Sequence, residues 1–307
     1  MRNPVRIAAA ENLAYLPHYI GIARGFFAEA GVEVSVQPQA PGHGSITDAV
    51  LRGTTDLVLG SVVFADRLNR AEPSVVVAVS NTQTRHFLFQ RAQDPRPVSG
   101  EVFDWNRLRG SVLVVAPTYV PTSWVAFLEI LHRQGIPLGE IKVLVGYQPE
   151  AVIDEFVDGP GDFLLAGGHE AQDSRLRETV PLADGLGPVP WSVYCATRGW
   201  AEGHTEEAEA FRAGLGQAQA WLAAHSPERI AQEVREHFPS LDVPHLEDTI
   251  AQFQRIGFWA SSPGAVPGQF EAWRDALVRS GLLAADTGLL SMIGQAPHES
   301  TQKEAAS

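Results

Sequence analysis

The chain has 307 residues, 45% of them hydrophobic and 19% charged, the balance of a chain that folds around a core rather than one that stays disordered. Its formal net charge of −13 repels phosphate backbones and anionic lipid, which argues against nucleic acid or a membrane surface as partner. A single cysteine, Cys195, excludes an intrachain disulfide and a multi-thiolate metal site, and no apolar run reaches the length of a membrane span.

Met1 to Pro4 leads into Val5 to Ala10, a short β-branched and alanine run that reads as a strand and is too short for a signal-peptide core. Taken as full length, the chain is expected in the cytoplasm; with a leader removed, it is expected in the periplasm or at the cell surface. Tyr15 to Ala30 carries helical spacing, with Gly31 as its stop. Val32 to Val36 alternates as a strand does, Ser45 to Leu51 reads as a short helix, and Leu57 to Leu59 and Ser74 to Val79 read as strands. This alternation predicts a parallel sheet with helices on both faces. Arg91 to Gly100 is a linker rich in Pro, Asp and Gly. Beyond it Ser111 to Ala116 is a strand, Thr122 to Gln134 a helix stopped by Gly135, Ile141 to Val145 a strand, Glu150 to Val157 a helix, and Phe163 to Ala166 a strand. From about Glu202 four helices follow without strands: Glu206 to Ala224, Pro227 to His237, His245 to Ile256 and Pro267 to Ser280. They are expected to pack on the first half, and the polar tail from about Gly294 to fray.

The two halves share a grammar. Asp48 to Gly60 reads helix, turn, Asp56, apolar strand, small residue; Glu150 to Ala166 repeats it with Asp162 in the place of Asp56. Two copies point to two similar lobes rather than a solenoid.

Tyr15-Leu16-Pro17-His18-Tyr19-Ile20-Gly21-Ile22-Ala23-Arg24-Gly25-Phe26-Phe27, followed by Gly31-Val32-Glu33-Val34, resembles the opening of the NMT1/THI5-like substrate-binding proteins. Asp56 to Gly60 resembles their third strand, Leu108-Arg109-Gly110-Ser111-Val112 their entry to the second lobe, and Trp191 to Tyr194 their return crossing. The resemblance covers roughly residues 5 to 285. It implies an α/β, two-lobed periplasmic-binding-protein type II fold with a ligand cleft between the lobes and extra C-terminal helices. One lobe would comprise residues 1–88 plus 190–307 and the other 89–189. The family serves ABC importers of nitrate, sulfonates, taurine and pyrimidines, which implies a small-molecule ligand, a permease partner and no cofactor. A monomer or weak dimer is expected.

In open α/β sheets ligands bind beyond the carboxyl ends of the strands. The loops in question are Glu11 to Tyr15 (with Asn12), Gln39 to Gly44, Gly60 to Val63, Thr82 to Arg85, Pro117 to Ser123 and Gly167 to Glu170. Ser61, Thr118, Thr122 and Ser123 suit a polar or anionic edge at a helix start, or plain capping. His18, beside Tyr15 and Tyr19, suits a hydrogen bond to a ligand or a solvated helix face. His43, between two glycines, suits a closing loop or a surface turn. His169 and Glu170 suit a polar ring or proton transfer, or a helix start. Glu11 suits an amine or amidine-like edge, or a cap; Arg85 suits an acidic ligand, or a hinge salt bridge. Trp124 and Trp191 are candidate cleft walls or core filler, and Cys195 is a core residue.

No Walker A loop, EF-hand loop or His-Glu-x-x-His appears, and no metal ligand set is assigned. The family's fungal pyrimidine synthases use a lysine, a histidine and a cysteine-rich motif; the first two positions fall here at Gly60 and Phe64, and only Cys195 remains of the third. Its desulfinases use a cysteine in the first strand loop, which here reads Glu11-Asn12-Leu13-Ala14. The expected function is binding of a pyrimidine-, sulfonate- or aromatic-acid-like solute for an ABC importer. The alternative is a cytoplasmic enzyme on the same fold, a lyase, decarboxylase, desulfinase-like enzyme or hydrolase, with Glu11, His18, His169 and Glu170 as acid–base groups.

Overall fold

In the computed structural model, which describes residues 4–38, 46–95, 102–115, 121–145, 151–168 and 173–293, ten strands form two five-stranded sheets. The chain opens with β1 (Val5–Ala9), α1 (Leu16–Ala23), α2 (Phe26–Glu29), β2 (Val34–Pro38), α3 (Ile46–Leu51), β3 (Leu57–Gly60), α4 (Val62–Ala71) and β4 (Ser74–Asn81). It then crosses to the second sheet through β5 (His86–Arg91), β6 (Val112–Val115), α5 (Pro121–Arg133), β7 (Lys142–Leu144), α6 (Val152–Asp158), β8 (Phe163–Gly167) and β9 (Leu176–Pro181). After α7 (Leu182–Leu186) it returns as β10 (Ser192–Thr197). It closes with α8 (Arg198–Gly203), α9 (Thr205–Ala224), α10 (Pro227–Val234), α11 (Val243–Arg255) and α12 (Pro267–Arg279).

The strand orders are β2-β1-β3-β10-β4 and β7-β6-β8-β5-β9. β1 pairs in parallel with β2 (Val5 opposite Val34) and β3; β6 does the same with β7 (Val112 opposite Lys142) and β8. The expectation of purely parallel sheets is corrected: β10 runs antiparallel to β3 and β4, and β5 to β8 and β9. Each of these strands arrives from the other sheet. An antiparallel neighbour needs no helical crossover, so residues 82–85 suffice to join β4 to β5. β3 and β8 are buried along their whole length, which is why they read as unbroken apolar runs.

The helical spacing of Tyr15 to Ala30 does not give one helix. Gly25 adopts φ +75°, a left-handed conformation that glycine takes without strain, and the chain turns back there. The turn lays the Phe27 ring over Gly21, where a Cβ would come within 2.4 Å of it, and stacks it on Phe211 of α9 with centroids 5.2 Å apart. The Gly-Phe-Phe step is therefore a packing device that seats the first helices on α9.

The shared grammar of the halves is visible in hydrogen bonds. Asp56 accepts the Arg6 N–H at 2.8 Å and donates its own N–H to the Arg6 carbonyl at 2.8 Å. Asp162 does the same with Val112, at 2.9 and 2.7 Å. Among the closing helices, α9 packs on α1, α2 and β4, and α10 on α1. α12 instead packs on α5, where Arg279 pairs with the buried Glu129 at 2.7 Å. Two of the closing helices, α11 and α12, thus also touch the second sheet's elements. Among the described residues no helix is long and apolar enough to cross a membrane.

Candidate functional site

A cavity of ≈ 440 Å³ is lined by Glu11, Asn12 and Leu13 just beyond β1, by Gly168 just beyond β8, and by Arg85 from the crossing between the sheets. The carboxyl ends of the central strands thus meet across it, as the topology requires. Asn12 holds one wall in place. Its side-chain oxygen accepts the Ala14 N–H at 2.9 Å, capping the short turn Leu13–Tyr15, and lies 3.5 Å from an Arg85 guanidinium nitrogen that donates to it. The Arg85 carbonyl accepts the Gly168 N–H at 3.1 Å, so the same residue anchors the opposite wall. Tyr15 lies behind Asn12, hydrogen-bonded to Ser192; burial raises its pKa, and that bond and the Arg85 charge pull it back. Glu11 is exposed at the rim. It also borders a neighbouring groove with Tyr19 and His237, and the Tyr19 hydroxyl is pushed up to about 12 by burial and, second, by Glu11.

His18 is fully buried under this wall. Its Nδ1 lies 3.0 Å from the Tyr194 hydroxyl, and among the described residues its Nε2 has no hydrogen-bond partner. Burial, and secondly His237, hold its pKa down at about 3, so the ring is neutral. Its bonded partner is a tyrosine of β10 rather than a carboxylate. Burial likewise raises the Tyr194 and Cys195 pKa values far above their usual range, and Cys195 sits within the core.

The remaining sequence candidates are distributed around the two strand-end faces. Ser61 occupies the N-cap position of α4 in extended conformation, half-buried, and its hydroxyl does not cap the helix. Thr122 and Ser123 are buried in the first turn of α5, and among the described residues the Thr122 hydroxyl has no partner. Trp191 is 7% exposed, tilted against Trp273 with centroids 5.7 Å apart. Trp124 stacks on Phe127 at 5.5 Å. His43, Thr118, His169 and Glu170 lie outside the described residues.

One wall of the cavity comes from a quarter that the strand-end rule does not reach. His245, Thr249, Gln252 and Phe253, all on α11, line it. Sequence reasoning placed His245 on a surface helix, because a polar helix face reads the same whether it meets bulk water or a cavity. α11 is fixed at its start by Asp242, which accepts the His245 N–H at 2.8 Å. At its end Arg255 makes a two-pronged ion pair with Glu178 of β9, at 2.7 and 2.8 Å. No signal in the chain foretells that reach.

A family model described as NMT1/THI5 like matches residues 12–229. YtlA of Bacillus subtilis (strain 168) is 20% identical over 288 residues, which span 91% of this chain and 84% of that protein. Among solved structures, the periplasmic aliphatic sulphonate binding protein SsuA from Escherichia coli superposes with a TM-score of 0.71 at 14% identity, covering 95% of this chain and 98% of SsuA. The periplasmic nitrate-binding protein NrtA from Synechocystis PCC 6803 gives 0.63 at 13% identity, covering 94% and 84%. These likenesses show the fold expected from the sequence: α/β, of the periplasmic-binding-protein kind.

Proposed function

Because the chain belongs to the NMT1/THI5-like family, we propose that it is a solute-binding protein that delivers a small molecule to an ABC importer, and that its ligand is a small organic acid held between the sheets. The observation that carries this reading is Arg85, a cation placed in a ≈ 440 Å³ cavity and bonded to both of its strand-end walls. A guanidinium meets carboxylate or sulfonate oxygens with two parallel hydrogen bonds, and the cavity has the size of small-molecule sites. A sulphonate-binding and a nitrate-binding protein of the same fold lend support, since both named ligands are oxyanions. In this reading the halves 1–88 plus 190–307 and 89–189 close on the ligand, and the closed form is what a permease recognises.

The test is a thermal-shift screen with nitrate, alkyl and aryl sulfonates, aromatic carboxylates and pyrimidines, each hit recovered and weighed by mass spectrometry. Saturable stabilisation by an acid recovered intact is expected, because a ligand that binds only the native state stabilises it by mass action. Arg85→Met is expected to weaken that acid by roughly 10- to 100-fold, the range for a hydrogen bond to a charged group. A hit converted to product would overturn the reading in favour of an enzyme. A hit untouched by Arg85→Met would overturn the acid.

A further inference from the structure

The third wall of the cavity has a feature that neither the family match nor the strand ends account for. Gln252 of α11 lines the cavity half-buried, and among the described residues its side-chain amide makes no hydrogen bond. It faces Gly168 at the end of β8 so closely that a Cβ on Gly168 would lie 1.8 Å from the Gln252 side-chain oxygen. Gly168 does not have a positive φ, so the space taken by Gln252, rather than a left-handed backbone, is what calls for glycine there. The Arg255–Glu178 ion pair, one turn further along α11, pins the helix to β9 and keeps Gln252 over Gly168. The Arg255 guanidinium also lies over the Phe87 ring of β5 at 5.9 Å. An amide in this position offers a donor and an acceptor side by side to a molecule in the cavity.

We propose that Gln252 is a specificity-determining residue, and that the ligand is an acid whose uncharged end carries an amide-type edge paired with the Gln252 amide. This rests on the acid-binding reading above: Arg85 takes the anionic end and Gln252 reads the neutral end. Gly168 sets how deeply the Gln252 amide enters, and α11 carries the selectivity that the strand-end loops lack. A site built to hydrogen-bond a polar group discriminates against a ligand without that group, because its own amide is then left unpaired.

The experiment compares two probes by calorimetry: benzoate, which has the acid alone, and 4-carbamoylbenzoate, which adds a primary amide. The wild-type protein is expected to bind 4-carbamoylbenzoate about tenfold more tightly. Gln252→Leu keeps the bulk and removes the amide; it is expected to erase that preference, so that the variant binds the two probes equally, with a thermal melt to show that it is folded. Gly168→Ala displaces only the end of a flexible side chain and is expected to do the same. Equal affinity for the two probes in the wild type, or an equal loss of both in Gln252→Leu, would overturn the role of Gln252 and leave the acid reading standing. Failure of both probes to bind the wild type would overturn the two readings together.

Discussion

In the first sheet Asp56 closes the turn before β3 by bonding the backbone of Arg6, and the Arg6 side chain returns two bonds to the same carboxylate, at 3.0 and 2.7 Å. In the second sheet Asp162 bonds the backbone of Val112, which has no such side chain to return. There the turn is held from its other side. Arg91 donates to the carbonyls of Phe156, Val157, Gly159 and Gly161 at 2.6 to 2.8 Å, and its guanidinium lies over the Phe156 ring at 4.8 Å. The repeated unit is therefore the Asp-to-backbone exchange at the start of a parallel strand. The arginine is a local solution: a carboxylate partner in one half, a clamp on the free carbonyls of a helix end in the other. The clamp is half-buried and serves four acceptors; the ion pair is partly solvated and serves one.

At neutral pH the largest effect is expected from the clamp. Arg91→Met should lower stability by roughly 3 kcal/mol, since several buried carbonyls lose charged donors at once. Hydrogen exchange should show the loss concentrated in α6 and β8; a uniform loss across both sheets would break the comparison. Next comes acid. The His18 pKa is held near 3 in the folded state against about 6.5 in the unfolded chain, so the unfolded state binds the proton first as pH falls. The stability that His18 contributes is intact above about pH 6.5 and is lost towards pH 3, at roughly 1.4 kcal/mol per unit. The loss should appear in the first sheet, where His18 meets Tyr194, and His18→Asn should flatten the acid limb in urea titrations. Third, Asp56→Asn and Asp162→Asn should each cost roughly 1–2 kcal/mol, because both keep a backbone bond but lose the charge that strengthens it. Equal values would show that the backbone exchange dominates. Smallest is Arg6→Met, expected to cost about 0.5–1 kcal/mol or less in a denaturant melt, as for a partly exposed ion pair.

The fold was legible to the extent that it is written in local pattern. The helices from Glu206 onward match α9 to α12 closely, because their apolar spacing and their Pro and Gly punctuation are local properties. The pairing of Asp56 with Asp162 was legible as a repeated phrase. The antiparallel entry of β5 and β10 was not, since strand direction depends on where a connection begins in space. His86 to Arg91 is hidden in the sequence by the loop and the linker that flank it. In the site, Glu11, Asn12 and Arg85 followed from the strand-end rule and meet at one cavity. His18 and Trp191, which the sequence also marks as candidates, are buried, a distinction that belongs to three-dimensional packing and not to composition. Gln252 was invisible because a polar residue on an amphipathic helix is the ordinary surface pattern.

The placement of β10 between β3 and β4 has a consequence for how the chain is made. Everything in the second sheet lies between residues 86 and 181, so that sheet can complete itself while the ribosome is still translating β10 and the closing helices. The first sheet stays incomplete until residues 192–197 emerge, because β10 joins β3 to the edge strand β4, which has no other neighbour. The half of the protein that is synthesised first is thus the half that finishes last, and its open β3 edge is the surface that a nascent chain must keep covered longest.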